Sequence, residues 1–257
     1  MKSHHYGPQV HILNNPLLEG LLARLCTPQC YQPEILKIIE ILYTQLVSEV
    51  INREFKTENF STPTRMSQHH PGNNLEGLQI SKKNKAVCVN LARAGTFPSH
   101  TCYQFLHNAL PPENLRQDHI FASRQTNNEN HVTGTHLGSS KIGGSIENAY
   151  VLFPDPMGAT GNTIISSVDY YKKNIPGTAA QYICLHLIVT PEYLKRVLTA
   201  HPDISIYTLR VDRGLSQPEI LKTALGQHWD QEKGLNQNDY IVPGGGGFGE
   251  IMNNSFV

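Results

Sequence analysis

The chain has 257 residues, enough for one large domain or two small ones around a substantial core. Its 21 basic and 21 acidic residues balance, which excludes the global positive field of a protein that works on nucleic acid or anionic membrane, so any phosphate site must be local. Five cysteines, Cys26, Cys30, Cys88, Cys102 and Cys184, are odd in number and widely spread; this argues for a reducing compartment over a disulfide framework.

The N-terminus has neither a basic region leading into an apolar stretch nor a cleavage site, and the longest apolar runs, such as Tyr182 to Val189, are too short to span a bilayer. A soluble, cytoplasmic protein is expected, with no membrane or nucleic-acid partner. Cys26 and Cys30 have no second Cys or His pair at zinc-ligand spacing. His4, His5, His69 and His70 sit in polar, turn-rich contexts, and the thirteen histidines read mostly as surface or satisfied core residues.

From Pro33 to Asn52 the residues Ile35, Ile38, Ile39, Leu42, Leu46, Val47, Val50 and Ile51 recur at three- and four-residue steps, which predicts a helix with one buried face. Thr57 to Asn74, rich in Ser, Thr, Pro, His and Asn, reads as a loop. Lys85 to Leu91 is an apolar strand running into Ala92-Arg93-Ala94-Gly95, and His119 to Ser123 is a second strand ending at Arg124. The Asn-, Gly- and Ser-rich stretch from Gln125 to Gly144, with Lys141 near its end, suits a mobile arm. Ala149 to Phe153 is a short strand, followed by a polar loop and a helix from Ile164 to Tyr171; strands at Tyr182 to Val189 and Ile204 to Leu209 flank a helix from Glu192 to Ala200. Strands and helices alternate without internal repeat, which predicts an α/β fold with a mainly parallel sheet.

The junction after Phe153 carries the chemistry. Small residues leaving a strand and entering a helix present backbone N–H groups at a positive helix end, a seat for a phosphate monoester. Ala159, Thr160, Gly161, Asn162 and Thr163 supply that pattern; Thr160 and Thr163 add hydroxyl donors, and Asp155 is placed to accept hydrogen bonds from ribose hydroxyls. An acid beside a phosphate loop suggests a sugar phosphate, although such junctions also occur for structural reasons. No Gly-Lys-Ser or Gly-Lys-Thr follows the glycines, so the loop is not a Walker motif.

Asp155-Pro156-Met157-Gly158-Ala159-Thr160-Gly161-Asn162-Thr163 resembles the phosphoribosyl diphosphate (PRPP) loop of the uracil phosphoribosyltransferases, whose Asp-Pro-Met opening differs from the paired acids of most other phosphoribosyltransferases. Leu91-Ala92-Arg93-Ala94-Gly95 resembles the family's diphosphate segment, Arg124 ends a block like its second arginine strand, and Ile206-Tyr207 to Asp212 looks like its late strand. Asp239-Tyr240-Ile241-Val242-Pro243-Gly244 resembles the start of its uracil loop.

The resemblance implies a type I phosphoribosyltransferase core with an N-terminal helical layer, a mobile β-arm and a C-terminal base-binding hood. As one domain it divides into an N-terminal extension over 1–75, a core over 76–216 with the arm at 125–147, and an insertion and base loop over 217–257. The implied reaction joins uracil to the ribose of PRPP, giving UMP and diphosphate in pyrimidine salvage. Asp155, Arg93 and Arg124 are the implied catalytic residues. PRPP would meet Arg93, Ala94, Gly95, Arg124, Lys141, residues 155–163 and Gly247, with Mg²⁺ held through PRPP and by no direct protein ligand; uracil would meet Tyr240, Ile241, Gly246, Gly247 and Phe248. A homodimer or higher homo-oligomer is implied, and activation by GTP is left open.

The pattern departs from the family at Gly247, where an aspartate is usual, and at Gly158, where a larger apolar residue is common; Glu250 keeps an acid, Ile251 replaces a basic residue, and Gln217 to Gly234, with Trp229, resembles an insertion. A transferase for another base and a catalytically weak PRPP or nucleotide sensor therefore stand beside the uracil reading.

Overall fold

The computed structural model describes residues 1–126 and 132–255, with backbone alone for 122–126 and 132–137. In chain order the elements are β1 (Val10–Ile12), α1 (Pro16–Leu25), α2 (Glu34–Glu54), β2 (Thr57–Thr62), β3 (Leu75–Ile80), β4 (Lys85–Ala92), α3 (Thr96–Leu106), β5 (Leu115–Thr126), β6 (Val132–Lys141), β7 (Ala149–Pro154), β8 (Met157–Gly158), α4 (Asn162–Asn174), β9 (Gln181–Val189), α5 (Pro191–Ala200), β10 (Ile204–Val211), α6 (Pro218–Leu221) and α7 (Phe248–Asn253).

One sheet runs β1-β10-β9-β7-β4-β5-β6, with β8 also paired to β9. Its pairings are parallel except β5 with β6. The near-continuous apolar runs of β4, β7 and β9 follow from burial on both faces. Period-2 alternation divides them: Cys88, Leu152, Ile183 and Leu185 join α1, α2 and α3 in one core, while Val87, Val89, Val151, Phe153 and Cys184 join α4 and α5 in the other. In α2 the expected stripe is buried, with Tyr43 added to it, and the Tyr43 hydroxyl donates to the Leu185 carbonyl at 3.2 Å.

From β4 the chain first extends the sheet through β5 and β6, then returns across it to build β7, β9 and β10 on the opposite side. The junction of β4 and β7 is thus a topological switch point, where a crevice opens beyond the carboxyl ends of the strands.

Two expectations are corrected. Thr57 to Asn74 is not wholly a loop, since β2 pairs antiparallel with β3 from Thr57↔Ile80 to Thr62↔Leu75. Its polar composition reflects a strand that is largely exposed on both faces, not an irregular backbone. The N-terminal layer is not only helical, because β1 pairs with β10 at the sheet edge. The expected β-arm is built by β5 and β6, which pair antiparallel up to residue 126 and from 132 with register shifts at Ile120/Ala122 and Gln125/Thr126; residues 127–131 lie outside the described residues.

Leu46 is fully buried in α2 and Ile41 lies on its exposed face. Leu46→Ala is expected to cost about 3 kcal/mol and Ile41→Ala less than about 1 kcal/mol. Urea unfolding monitored by circular dichroism would read both as midpoint shifts at constant slope.

Candidate active site

A cleft of about 490 Å³ opens at the switch point, lined by the end of β4, the loop before α4, and the C-terminal segment. Arg93 and Ala94 line it, and the Ala92–Arg93 peptide bond is cis. Gly95 lies behind them, its N–H donating to the Leu91 carbonyl at 2.9 Å. From the expected phosphate loop, Asp155, Met157, Ala159, Thr160, Gly161, Asn162 and Thr163 all line the cleft.

The loop is held from beneath. Pro156 accepts the N–H groups of Leu187 and Ile188, each at 3.1 Å, and Gly158 accepts that of Thr190 at 3.0 Å. Thr190 donates its hydroxyl to the Ala159 carbonyl at 2.8 Å and accepts the Tyr193 N–H at 2.9 Å, which caps α5. His186 Nδ1 lies 2.5 Å from the Asp155 carbonyl oxygen and its Nε2 lies 2.5 Å from the Tyr193 hydroxyl. A carbonyl only accepts, so Nδ1 carries the proton and Nε2 accepts from Tyr193. Burial lowers the His186 pKa to about 4, opposed by the bond to Asp155. A Cβ at Gly158 would press on Val189 and the Tyr193 ring, so a larger side chain has no room here.

Gly161 precedes α4 at φ +84°, a conformation that favours glycine. It brings no side-chain cap to the helix. Asn162, Thr163 and Ile164, the first residues of α4, all line the cleft, in the arrangement of an anion-binding helix start.

The opposite wall is the C-terminal segment, where Tyr240, Ile241, Gly246, Gly247 and Phe248 reach the cleft with Asp239, Gly249 and Glu250. Its position is set by an ion pair. Arg210 donates to both carboxylate oxygens of Asp212, from Nε at 2.6 Å and Nη2 at 2.8 Å. Asp212 accepts the Gly244 N–H at 2.8 Å, and Arg210 Nη2 donates to the Gly244 carbonyl at 3.2 Å. One Arg–Asp pair therefore grips Gly244 at both peptide groups. The 217–234 stretch buttresses this wall through Gly234, which donates to Glu192 and accepts the Val242 N–H at 2.8 Å. It is itself anchored by buried Glu232, bonded to Arg213 and to the Tyr6 hydroxyl.

Arg93 meets this wall directly. Its Nη2 donates to Glu250 Oε1 at 3.0 Å, and its Nη1 donates to the carbonyl and hydroxyl of Ser255 at 3.0 and 3.1 Å. A Cβ at Gly247 would overlap the Glu250 carboxylate, so Glu250 fills the space that a side chain at 247 would occupy.

Lys141 does not reach the cleft; it ends β6 opposite His119 and is exposed. Arg124 pairs through its backbone with Thr135, and its side chain lies outside the described residues. Sequence reasoning did not single out His186, Thr190, Tyr193 or Arg210. Thr190-Pro191 is a legible helix start and Arg210-Val-Asp212 an unusual charged ending to an apolar strand, but neither announces its contact with a distant loop. Among the described residues no group of three His, Cys, Asp or Glu could hold a metal.

The uracil phosphoribosyltransferase family model matches residues 12–231. The uracil phosphoribosyltransferase of Variovorax paradoxus (strain S110) is 25% identical over 222 residues, covering 86% of this chain and 96% of that protein. The uracil phosphoribosyltransferase of Thermococcus kodakarensis (strain ATCC BAA-918 / JCM 12380 / KOD1) is 34% identical over 84 residues, 33% of this chain and 36% of that protein. The AQ2163 protein of Aquifex aeolicus shares the fold at a TM-score of 0.69 and 20% identity, over 95% of this chain and 97% of its own. The chain belongs to the uracil phosphoribosyltransferase family, and is a phosphoribosyltransferase of the glycosyltransferase type.

Proposed function

We propose that the enzyme transfers the phosphoribosyl group of PRPP to uracil, releasing diphosphate and forming UMP. The observation that carries this reading is the convergence in one cleft of the capless start of α4, Asp155, Arg93 and the glycine-rich wall from Tyr240 to Phe248. In this assignment the 5′-phosphate sits at residues 159–163, Asp155 faces the ribose hydroxyls, and the diphosphate lies toward Arg93 and Arg124.

The bond from C1′ to the diphosphate oxygen breaks as one forms to N1 of uracil, and the N1 proton is released. Charge concentrates on the departing diphosphate while C1′ gains oxocarbenium character, so catalysis is mainly electrostatic. Arg93 supplies guanidinium donors to the leaving group. Mg²⁺ would be carried largely by substrate oxygens, with Asp155 the cleft carboxylate on the ribose side. Bound there, Mg²⁺ would neutralise diphosphate charge. The uracil edge, alternating carbonyl and N–H, can be read by the peptide groups that the Arg210–Asp212 pair holds in place.

The test is incubation of purified enzyme with Mg²⁺, PRPP and each of uracil, cytosine, orotate, hypoxanthine and adenine, following nucleotide and diphosphate. UMP from uracil alone is expected. Product from another base would move the base assignment, and saturable PRPP binding without product would favour the sensor reading raised by Gly247. Asp155→Asn should lower kcat by about 100-fold with little change in unfolding midpoint; near-normal turnover would remove Asp155 from its role.

Glu250 and diphosphate would compete for the same Arg93 donors. Glu250→Gln is therefore expected to lower the Kd for diphosphate by about threefold, as suits a pair with side chains 34% and 33% exposed. Titration calorimetry would show it, and weaker binding would mean that Glu250 aids the anion.

The lowered pKa of His186 links the loop's support to pH. The unfolded histidine takes up a proton near pH 6.5 and the folded one only near 4. The unfolded state thus binds more protons in this window, and stability should fall as pH drops from about 6.5 to about 4. His186→Gln should flatten that part of a stability-versus-pH curve, which unfolding at a series of pH values would reveal.

A further inference from the structure

The charge along the cleft is uneven. Among the described residues that line it, Asp155, Asp239 and Glu250 are acids and Arg93 is the one arginine or lysine. Arg93 belongs to the diphosphate side, tied to Glu250 and Ser255. The end formed by residues 159–163 offers hydroxyls and a helix start to a phosphate dianion, but no cationic side chain within its lining.

A guanidinium stands just outside. Arg196 is exposed on α5, and its Nη2 donates to the side-chain oxygen of Asn162 at 2.5 Å. Asn162 is the first residue of α4 and itself lines the cleft. Helix α5 is fixed against the same loop: Thr190 at its cap holds the Ala159 carbonyl, and a Cβ at Gly161 would collide with Val197, the residue after Arg196. The guanidinium is thus carried by the element that supports the phosphate loop, and it already bonds to a residue of that loop.

We propose that Arg196 is a further phosphate-binding residue, which exchanges the neutral Asn162 amide for the 5′-phosphate of the bound substrate. A dianion is a much stronger acceptor for a guanidinium than an amide oxygen and can take two parallel N–H bonds, so the exchange favours the ligand. The same contact gives the enzyme a means of preferring 5-phosphorylated ribose over unphosphorylated sugar. The inference rests on the PRPP reading of the cleft and adds one residue to it.

The test uses two probes that separate the ends of the site. Ribose 5-phosphate carries the 5′-phosphate without diphosphate, and inorganic diphosphate with Mg²⁺ carries the other end alone. Arg196→Ala is expected to raise the Kd for ribose 5-phosphate by about fivefold, less so in high salt, and to leave the Kd for diphosphate unchanged. Arg196→Lys should recover part of the loss, and the KM for PRPP should rise in Arg196→Ala. The exposure of Arg196 lets circular dichroism verify an intact fold. Wild-type affinity of Arg196→Ala for ribose 5-phosphate, or equal weakening for both probes, would overturn the proposal while leaving the PRPP reading in place. A wild-type enzyme that binds neither probe nor PRPP would overturn both.

Discussion

The burial of β4, β7 and β9 on both faces is the constraint on which the rest depends. A strand with Val151 and Phe153 in one core and Leu152 in the other cannot slip by one residue without exchanging the two faces. Parallel neighbours must also be joined by crossovers, which place their carboxyl ends along the same edge of the sheet. Because the chain leaves β4 toward β5 and returns to β7 on its other side, the loops after β4 and β7 flank one crevice. The cleft is thus a consequence of strand order before it is a matter of any catalytic residue.

What the fold then adds is polarity. Around the loop from Asp155 to Gly161, carbonyl oxygens at Asp155, Pro156, Gly158 and Ala159 are taken by donors from β9 and α5. With its acceptors engaged by the protein, the loop has mainly donors to offer a ligand, namely peptide N–H groups, the Thr160 hydroxyl and the start of α4. The neutral state of His186 serves this arrangement. Its Nδ1–H is available to the Asp155 carbonyl without placing a charge beneath the sheet, and desolvation keeps it so.

Local patterns were legible to the extent that local physics dictates them. The apolar stripe of α2, the buried runs of β4, β7 and β9, and the small-residue junction before α4 each follow from periodicity or from one backbone requirement, and each lies where the sequence placed it. The strand from Thr57 to Thr62 was hidden because polar residues signal exposure and say nothing of pairing when both strand faces meet water. Arg210 and Asp212 stand two residues apart in sequence, but their partner Gly244 lies some thirty residues on, at a distance that no pattern encodes. The same holds for Glu232 with Tyr6 and for Thr190 with Ala159: the sequence carries the residue types, and only the closed fold decides who meets whom.

The C-terminal segment shows how far such contacts reach. Its base is clamped by Asp212 and Arg210 at Gly244, while its far end is tied by Glu250 and Ser255 to Arg93 on the opposite side of the cleft. Gly247 permits this, because any side chain there would contend with the Glu250 carboxylate for the same space. On the proposed reaction, diphosphate would draw on the same guanidinium that Glu250 and Ser255 hold, which would link occupancy of its site to restraint of the C-terminal segment. The coupling would run through a single guanidinium: three of its hydrogen bonds hold Glu250 and Ser255, and any of these given to diphosphate would be withdrawn from the segment that carries Gly246 to Phe248.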